Sequence, residues 1–245
     1  MKIDLVIPLF RQDLFWPFVA QGLAANADAI NRVILVNDEP WTAPQQEAFE
    51  IIAKSHPTFP PLLLLDHPHS DFGGHRCIRQ GAESVETGWW AHIDGDIVLA
   101  PGALAKISSE PERGLMLCGL AHDVETIPLD LSAAEASIKR RDPREGMTTA
   151  TWDTARDLFI FSHRDDYFAM GGHDLSFPGY GNLDYDVAMR WMMHFGPESI
   201  EICTTAWSYH IGGLHPHHQS HPTNTTLFKA VSDRFAIWWE SQHED

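Results

Sequence analysis

Trp89-Trp90-Ala91-His92-Ile93-Asp94-Gly95-Asp96-Ile97-Val98-Leu99 decides how the chain is read. An apolar run reads as a buried strand and stops at two acids. Continuous apolar runs mark parallel strands covered on both faces. Ligands of open α/β sheets gather outside the carboxyl ends of such strands, and Asp94 and Asp96 fall at one. Two close carboxylates repel unless a cation lies between or beside them. Magnesium and manganese favour oxygen ligands and are often shared with substrate phosphates. The same residues also read as an Asp-Gly hairpin turn between two strands, and this stretch leaves both readings open.

Upstream, strands and helices alternate. Ile3 to Leu9 reads as a first strand, with Pro8 near its exit. Asp13 is placed to cap a helix from Leu14 to about Ala25. Arg32 to Val36 is a second strand that ends at Asn37-Asp38. Thr42 can cap a helix from Pro44 to Lys54, Leu62 to Leu65 is a short buried strand, and a helix from Gly74 to about Glu86 leads to Trp89. This alternation predicts a parallel sheet with right-handed crossovers.

Downstream the pattern changes. A short helix over Pro101 to Ser108 and a strand over Gly114 to Leu120 precede a polar, irregular stretch from Ala121 to Thr154, which holds Lys139, Arg140, Arg141 and Arg144. Its length suits a functional loop, such as a lid over a ligand; its individual basic residues better suit a solvated helix and linker. Asp157 to Ser162 reads as a strand, and a short helix from Arg164 to Met170 stops at Gly171-Gly172. Asn182 can cap a helix to Phe195, with Asp184 in its first turn. The helix dipole favours a carboxylate there, so Asp184 reads either as an ionised base or as capping chemistry. Ser199 to Cys203 is a late strand. His210, His215, His217, His218 and His221 form either metal ligands or a wet loop, and Thr225 to Trp239 is an amphipathic helix expected to pack on the sheet.

Composition narrows the classes. The 245 residues suit one large α/β domain or two small fused halves, 44% of them are apolar, and nine Trp and thirteen Phe imply a heavy core or a ring-lined site. A net charge of −17 argues against binding bare nucleic acid. An anionic substrate would need a cation or a local basic cluster. Cys77, Cys118 and Cys203 give neither a CxxC nor a disulfide framework, which points to a reducing compartment. The alternating Met1 to Ile7 is unlike a signal peptide, and no run of about 18 apolar residues offers a transmembrane segment. The reading is a cytoplasmic protein. There is no GxGxxG after the first strand and no GK[ST], so dinucleotide and P-loop readings are poor.

Three stretches, in order, resemble nucleotide-sugar glycosyltransferases of the GT-A fold, near the large family 2 group. Val33-Ile34-Leu35-Val36-Asn37-Asp38 is similar to that family's strand ending in an acidic pair. Arg79-Gln80-Gly81-Ala82, then Trp90 to Asp96, then Pro101-Gly102-Ala103-Leu104 resemble its Arg-Asn-x-Gly, Asp-x-Asp and Pro-Gly-Ala-Leu segments. Met170-Gly171-Gly172-His173-Asp174 with Gly179-Tyr180-Gly181-Asn182-Leu183-Asp184 resembles the Gly-Gly-Phe-Asp and Gly-Trp-Gly-x-Glu-Asp segments of galactosyltransferase-like acceptor halves.

The resemblance implies an α/β, Rossmann-like mixed sheet, mostly parallel and flanked by helices. It implies a single GT-A domain over 1–245, with a nucleotide-binding half over 1–105 and an acceptor-binding half over 106–245. Pro8 and Phe10 would line the base pocket, and Asn37 and Asp38 would meet the base or ribose. Arg79 would lie near the base or diphosphate. Asp94 would approach ribose or metal. Asp96, joined by His210, would hold Mn2+ or Mg2+ on the diphosphate of a UDP-sugar. Asp184 would be the general base on an acceptor hydroxyl, saccharide or otherwise, in a transfer that inverts the sugar. Asn37 stands where an acid is more usual and Leu183 where Glu is, which leaves open a catalytically weak protein that binds UDP or a nucleotide sugar. A metal-dependent phosphohydrolase is a further alternative, given the many Asp and His.

Overall fold

The computed structural model describes residues 1–9, 15–67, 73–109, 111–124, 131–155, 158–179, 181–211 and 221–242, apart from the side chains of Ser132 and Ala133. β1 (Ile3–Leu9) is buried at every position. Ile3, Leu5 and Ile7 join the core on one face of the sheet and Val6 joins the core on the other, as expected of a strand covered on both sides. β2 (Ile30–Asn37), β3 (Leu62–Asp66) and β4 (Trp89–Ile93) pair in parallel with it in the order β3-β2-β1-β4. The crossovers are α1 (Trp16–Ala24), α2 (Ala43–Lys54) and α3 (Gly74–Glu83). The expected alternation is met up to Ile93, but Leu62–Leu65, expected to be buried, are only half-buried because β3 ends the sheet.

Local chemistry sets these elements. α1 starts at Trp16 with Pro17 early in it; Asp13, expected to cap it, lies outside the described residues. Thr42 forms a capping box with Gln45: the Thr42 hydroxyl accepts from the Gln45 N–H, and the Thr42 N–H donates to Gln45 Oε1 at 3.0 Å. Thr42→Ala is expected to lower stability by about 1 kcal/mol in urea denaturation. Gly81 lets α3 press onto the sheet, since a Cβ there would sit 2.3 Å from Val6 Cγ1.

Beyond Asp96 come β5 (Ile97–Leu99), α4 (Ala103–Ile107), β6 (Met116–Val124), β7 (Ile138–Arg140), β8 (Phe159–His163), α5 (Arg164–Ala169), α6 (Leu183–Phe195), β9 (Ile200–His210) and α7 (Pro222–Gln242). Among the described residues nine strands make one mixed sheet, which continues β4-β8-β6-β9-β5 with β7 on β6. β8 runs antiparallel to β4 and β6, and β9 lies parallel to β6 and antiparallel to β5. Helices α1, α2 and α4 cover one face and α3 and α6 the other. No described helix is long and apolar enough to cross a membrane.

Several expectations for the second half change. Asp94-Gly95-Asp96 is a turn, with the Ile97 N–H on the Asp94 carbonyl at 3.0 Å, but β5 leaves β4 and pairs with β9, so it is not a hairpin. Among its described residues, the stretch from Ala121 to Thr154 is not the irregular chain expected. Its described part holds the end of β6, a 3-10 turn over Leu131–Ser137 and β7. It also holds a buried pair, Asp142 with Arg144, whose carboxylate and guanidinium meet at 2.7 Å. The sequence shows only a basic run there; burial of Arg144 depends on an acid two residues away and on β6 behind it. The late strand runs on from Cys203 to His210 because β6 and β5 pair with its far half. Finally, α7 packs chiefly on α6 and not on the sheet, through Val231 and Phe235 and contacts of Phe228 with Tyr185 and Trp152.

Candidate functional site

The carboxyl ends of β2, β1 and β4 form one edge of the sheet. Pro8, buried, lies opposite Val36, and Leu9 lies opposite Asn37. Asn37 ends β2, and the Asp38 N–H donates to the Leu9 carbonyl at 3.2 Å. Both side chains are buried. Asp38 Oδ2 accepts from the Gly73 N–H at 3.4 Å, at the start of α3. Burial, and then the negative charge of Asp38, push the Cys77 thiol up to about 12, so Cys77 is a core residue and not a nucleophile. Phe10, the other residue expected at the base pocket, lies outside the described residues.

Asp94 and Asp96 follow β4 on the same edge. Asp94 Oδ1 lies 3.2 Å from His92 Nε2, and its side chain is one-third exposed. Asp96 is buried, with Oδ2 3.1 Å from His210 Nε2. The sheet register explains this meeting of residues far apart in sequence. β9 lies between β5 and β6, and His210 is paired with Ile97 on one side and Asp123 on the other. Directly opposed residues share a face. His210 Nδ1 accordingly lies 2.8 Å from Asp123 Oδ1, and Arg140 of β7 donates to Asp123 Oδ2 at 2.6 Å.

Burial disfavours a charge on His210, but hydrogen bonds and attraction from Asp96 and Asp123 outweigh it and raise its pKa to about 9. Burial likewise pushes the Asp123 carboxyl up, and the bonds from His210 and Arg140 outweigh that and hold it low. Asp123 and Arg140 are the residues that sequence reasoning missed. They sit inside the stretch that reads as a polar loop, and no motif marks them. Of the other histidines, His215, His217 and His218 lie outside the described residues, and His221 is exposed beside Gly179.

A ladder of arginines brings the later half of the chain to this edge. α3 runs away from Asp38, and residues 164–175 run back along it. Arg164 donates to the Ala82 carbonyl at 2.9 Å, Arg79 to Gly171 and His173 at 2.8 and 3.2 Å, and Arg76 to Leu175 at 3.2 Å. Arg79 thus braces the Gly171-Gly172 turn. Arg190 of α6 holds the same turn from the other side, donating to the Gly172 carbonyl at 2.6 Å while paired with the buried Asp186. Tyr167 adds its hydroxyl, which lies 2.8 Å from His173 Nδ1 and accepts from the His173 N–H at 2.9 Å.

Asp184 is half-buried in the first turn of α6. Asn182 stands at the cap position but makes no side-chain cap bond; its backbone is left-handed, with φ of 62°. Among the described residues it is the only non-glycine with positive φ. It follows Gly179 and Gly181, also at positive φ, and such backbone strain concentrates at functional sites. The expected Asn182 side-chain cap is thus replaced by a tight left-handed entry.

This architecture has solved counterparts. No protein-family profile matches the sequence, and no curated protein is similar to it. A structure of S. aureus TarS 1-349, also solved in complex with UDP-GlcNAc, matches 97% of this chain at 12% identity and a TM-score of 0.65. The fold is that of the GT-A glycosyltransferases. GalNAc-T7 with UDP, GalNAc and Mn2+ matches 94% of the chain at 12% identity and a TM-score of 0.68. The mannosyltransferase PcManGT from Pyrobaculum calidifontis, in complex with GDP-Man and Mn2+, matches 82% at 15% identity and a TM-score of 0.53. The chain spans 65% of the TarS structure, 47% of GalNAc-T7 and 57% of PcManGT.

Among the described residues no three His, Cys, Asp or Glu side chains converge as a metal cage. The Asp96–His210 pair still has the chemistry for a cation shared with a ligand. It offers one carboxylate and one imidazole, the kind of partial donor set that magnesium and manganese complete with substrate phosphates.

Proposed function

We propose that the chain is a glycosyltransferase that moves a sugar from a UDP-sugar to an acceptor hydroxyl, of a saccharide or another hydroxyl compound. The observation that carries this is the Asp96–His210 pair, 3.1 Å apart at the carboxyl end of β4, in a fold shared with enzymes solved with nucleotide sugars and Mn2+. In this reading residues 1–105 bind the nucleotide and 106–245 the acceptor.

Asp96 and His210, with Asp94 beside them, would hold Mn2+ or Mg2+. When bound, the cation would offset the charge that grows on the leaving diphosphate. Pro8, Phe10, Asn37 and Asp38 would meet the base and ribose at the ends of β1 and β2. Arg79 would act from its place in the brace on the Gly171-Gly172 turn. Asp184 would take the proton of the incoming hydroxyl, the role that an inverting transfer assigns to a single base. No disulfide joins Cys77, Cys118 and Cys203, which fits work in the cytoplasm.

Leu183 favours a second reading, a nucleotide-sugar binder that transfers slowly, because no acid precedes Asp184 in the first turn of α6. Calorimetry with UDP, with and without Mn2+, tests the site, and UDP release from a panel of UDP-sugars tests turnover. Mn2+ should tighten UDP binding to the parent and leave folded Asp96→Ala unaffected. Equal affinity of the two proteins for UDP in Mn2+ would remove Asp96 from the metal site. UDP binding without release for any acceptor would select the second reading.

A further inference from the structure

We infer that Asp123 is the positioning residue for His210, presenting its Nε2 to a cation held with Asp96, and that Arg140 of β7 in turn fixes Asp123. This rests on the metal reading of the Asp96–His210 pair. An imidazole that gives Nε2 to a metal keeps its remaining proton on Nδ1. A carboxylate or carbonyl at Nδ1 then sets both the tautomer and the ring angle. Asp123 Oδ1 stands 2.8 Å from His210 Nδ1, on the opposite edge of the ring from Asp96.

The arrangement is built into the sheet and is not a chance surface contact. Asp123 is the residue of β6 in register with His210, and it is also in register with Arg140 of β7. Arg140 donates from Nε to Asp123 Oδ2 and leaves Oδ1 for the histidine. A three-member row, Arg140–Asp123–His210, thus crosses β7, β6 and β9 and ends at Asp96. The segment carrying β7 thereby joins the site through the Arg140–Asp123 salt bridge. Outer partners of this kind change metal affinity by about 10–100-fold when removed.

The test uses the full chain with UDP and Mn2+. Mn2+ affinity is read by calorimetry, and imidazole coordination by the 14N coupling of bound Mn2+ in pulsed electron paramagnetic resonance. Asp123→Ala is expected to weaken Mn2+ by about 10–100-fold and to diminish the 14N coupling. Asp123→Asn keeps the size and an acceptor oxygen; it should restore the coupling with an intermediate affinity. This conservative rescue separates positioning from a general loss of packing, as does a circular dichroism spectrum equal to the parent's. Parent-like affinity and coupling in folded Asp123→Ala would overturn the role of Asp123 and leave the metal reading standing. Failure of the parent itself to bind Mn2+ with UDP, or binding without any 14N coupling, would overturn the metal reading and this inference with it.

Discussion

Replacing Asp184 by Asn is expected to leave UDP affinity near that of the parent and to lower sugar transfer by roughly 10²–10⁴-fold, the usual contribution of a general base. Asp184 lies half-buried in the first turn of α6, where the partial positive charge of the helix terminus favours the carboxylate. Asn keeps the shape and can still accept a hydrogen bond from the helix N-terminus, but it cannot take a proton. The turn before it places its backbone unusually, with Gly179, Gly181 and Asn182 all at positive φ. α6 is further tied through Asp186 and Arg190 to the Gly171-Gly172 turn. A fixed carboxylate at that point can meet an acceptor hydroxyl without first paying to order a loop. Comparison of kcat and UDP affinity for the two proteins decides the matter. Unchanged turnover reduces Asp184 to an acid at a helix terminus, whereas lost UDP binding moves it to the donor side.

The second large effect concerns stability. Arg144→Ala should destabilise the fold by about 3–5 kcal/mol in urea denaturation, because it strands a buried carboxylate. Both members of the pair are almost wholly buried. They also complete the backbone at an irregularity of the sheet. Between Gly119 and Leu120 the register with β9 slips from Cys203 to Trp207. There Arg144 donates to the Gly119 carbonyl at 2.9 Å, and Asp142 Oδ2 accepts from the Ala121 N–H at 2.9 Å.

The double variant Asp142→Leu/Arg144→Met should therefore recover only in part. It removes the cost of burying charge, but each backbone group left without its partner costs about 1–3 kcal/mol. A loss below about 1 kcal/mol in the single variant would mean that the pair behaves like an exposed one. The pH dependence has a definite sign. Burial raises the Asp142 carboxyl, but the bonds from Arg144 and two backbone N–H groups outweigh it and hold it below its ordinary value. The contribution is therefore fully present above the ordinary carboxylate range and is lost as pH falls through the lowered value.

Much of the first half was legible because its signals are local. The apolar runs Ile3–Leu9 and Leu62–Leu65 and the Thr42 box each reflect a constraint within a few residues. The alternation they spell admits little but a parallel sheet. The acidic strand ends Asn37-Asp38 and Asp94-Gly95-Asp96 could be placed for the same reason. Legibility fell after Asp96, where strands are short and pair with distant partners. The polar look of 121–154 concealed a strand end, a further strand and a buried ion pair. Neutralisation of Arg140 and Arg144 depends on Asp123 and Asp142, which no periodicity connects to them.

The sequence by itself determined the parallel half of the sheet, the acids at its carboxyl edge and an acid in the first turn of α6. Apolar periodicity, capping residues and glycines act over one or two turns of chain, so they can be read in order. Only the tertiary structure decided that β5 leaves β4, that β9 enters between β5 and β6, and that Arg79 and Arg190 grip one turn from opposite sides. It set His210 against Asp96, as the resemblance implied, and it alone brought His210 against Asp123, 87 residues away in the chain. That meeting is a matter of strand register, fixed by the packing of the whole sheet, and register leaves no mark on the local order of residues.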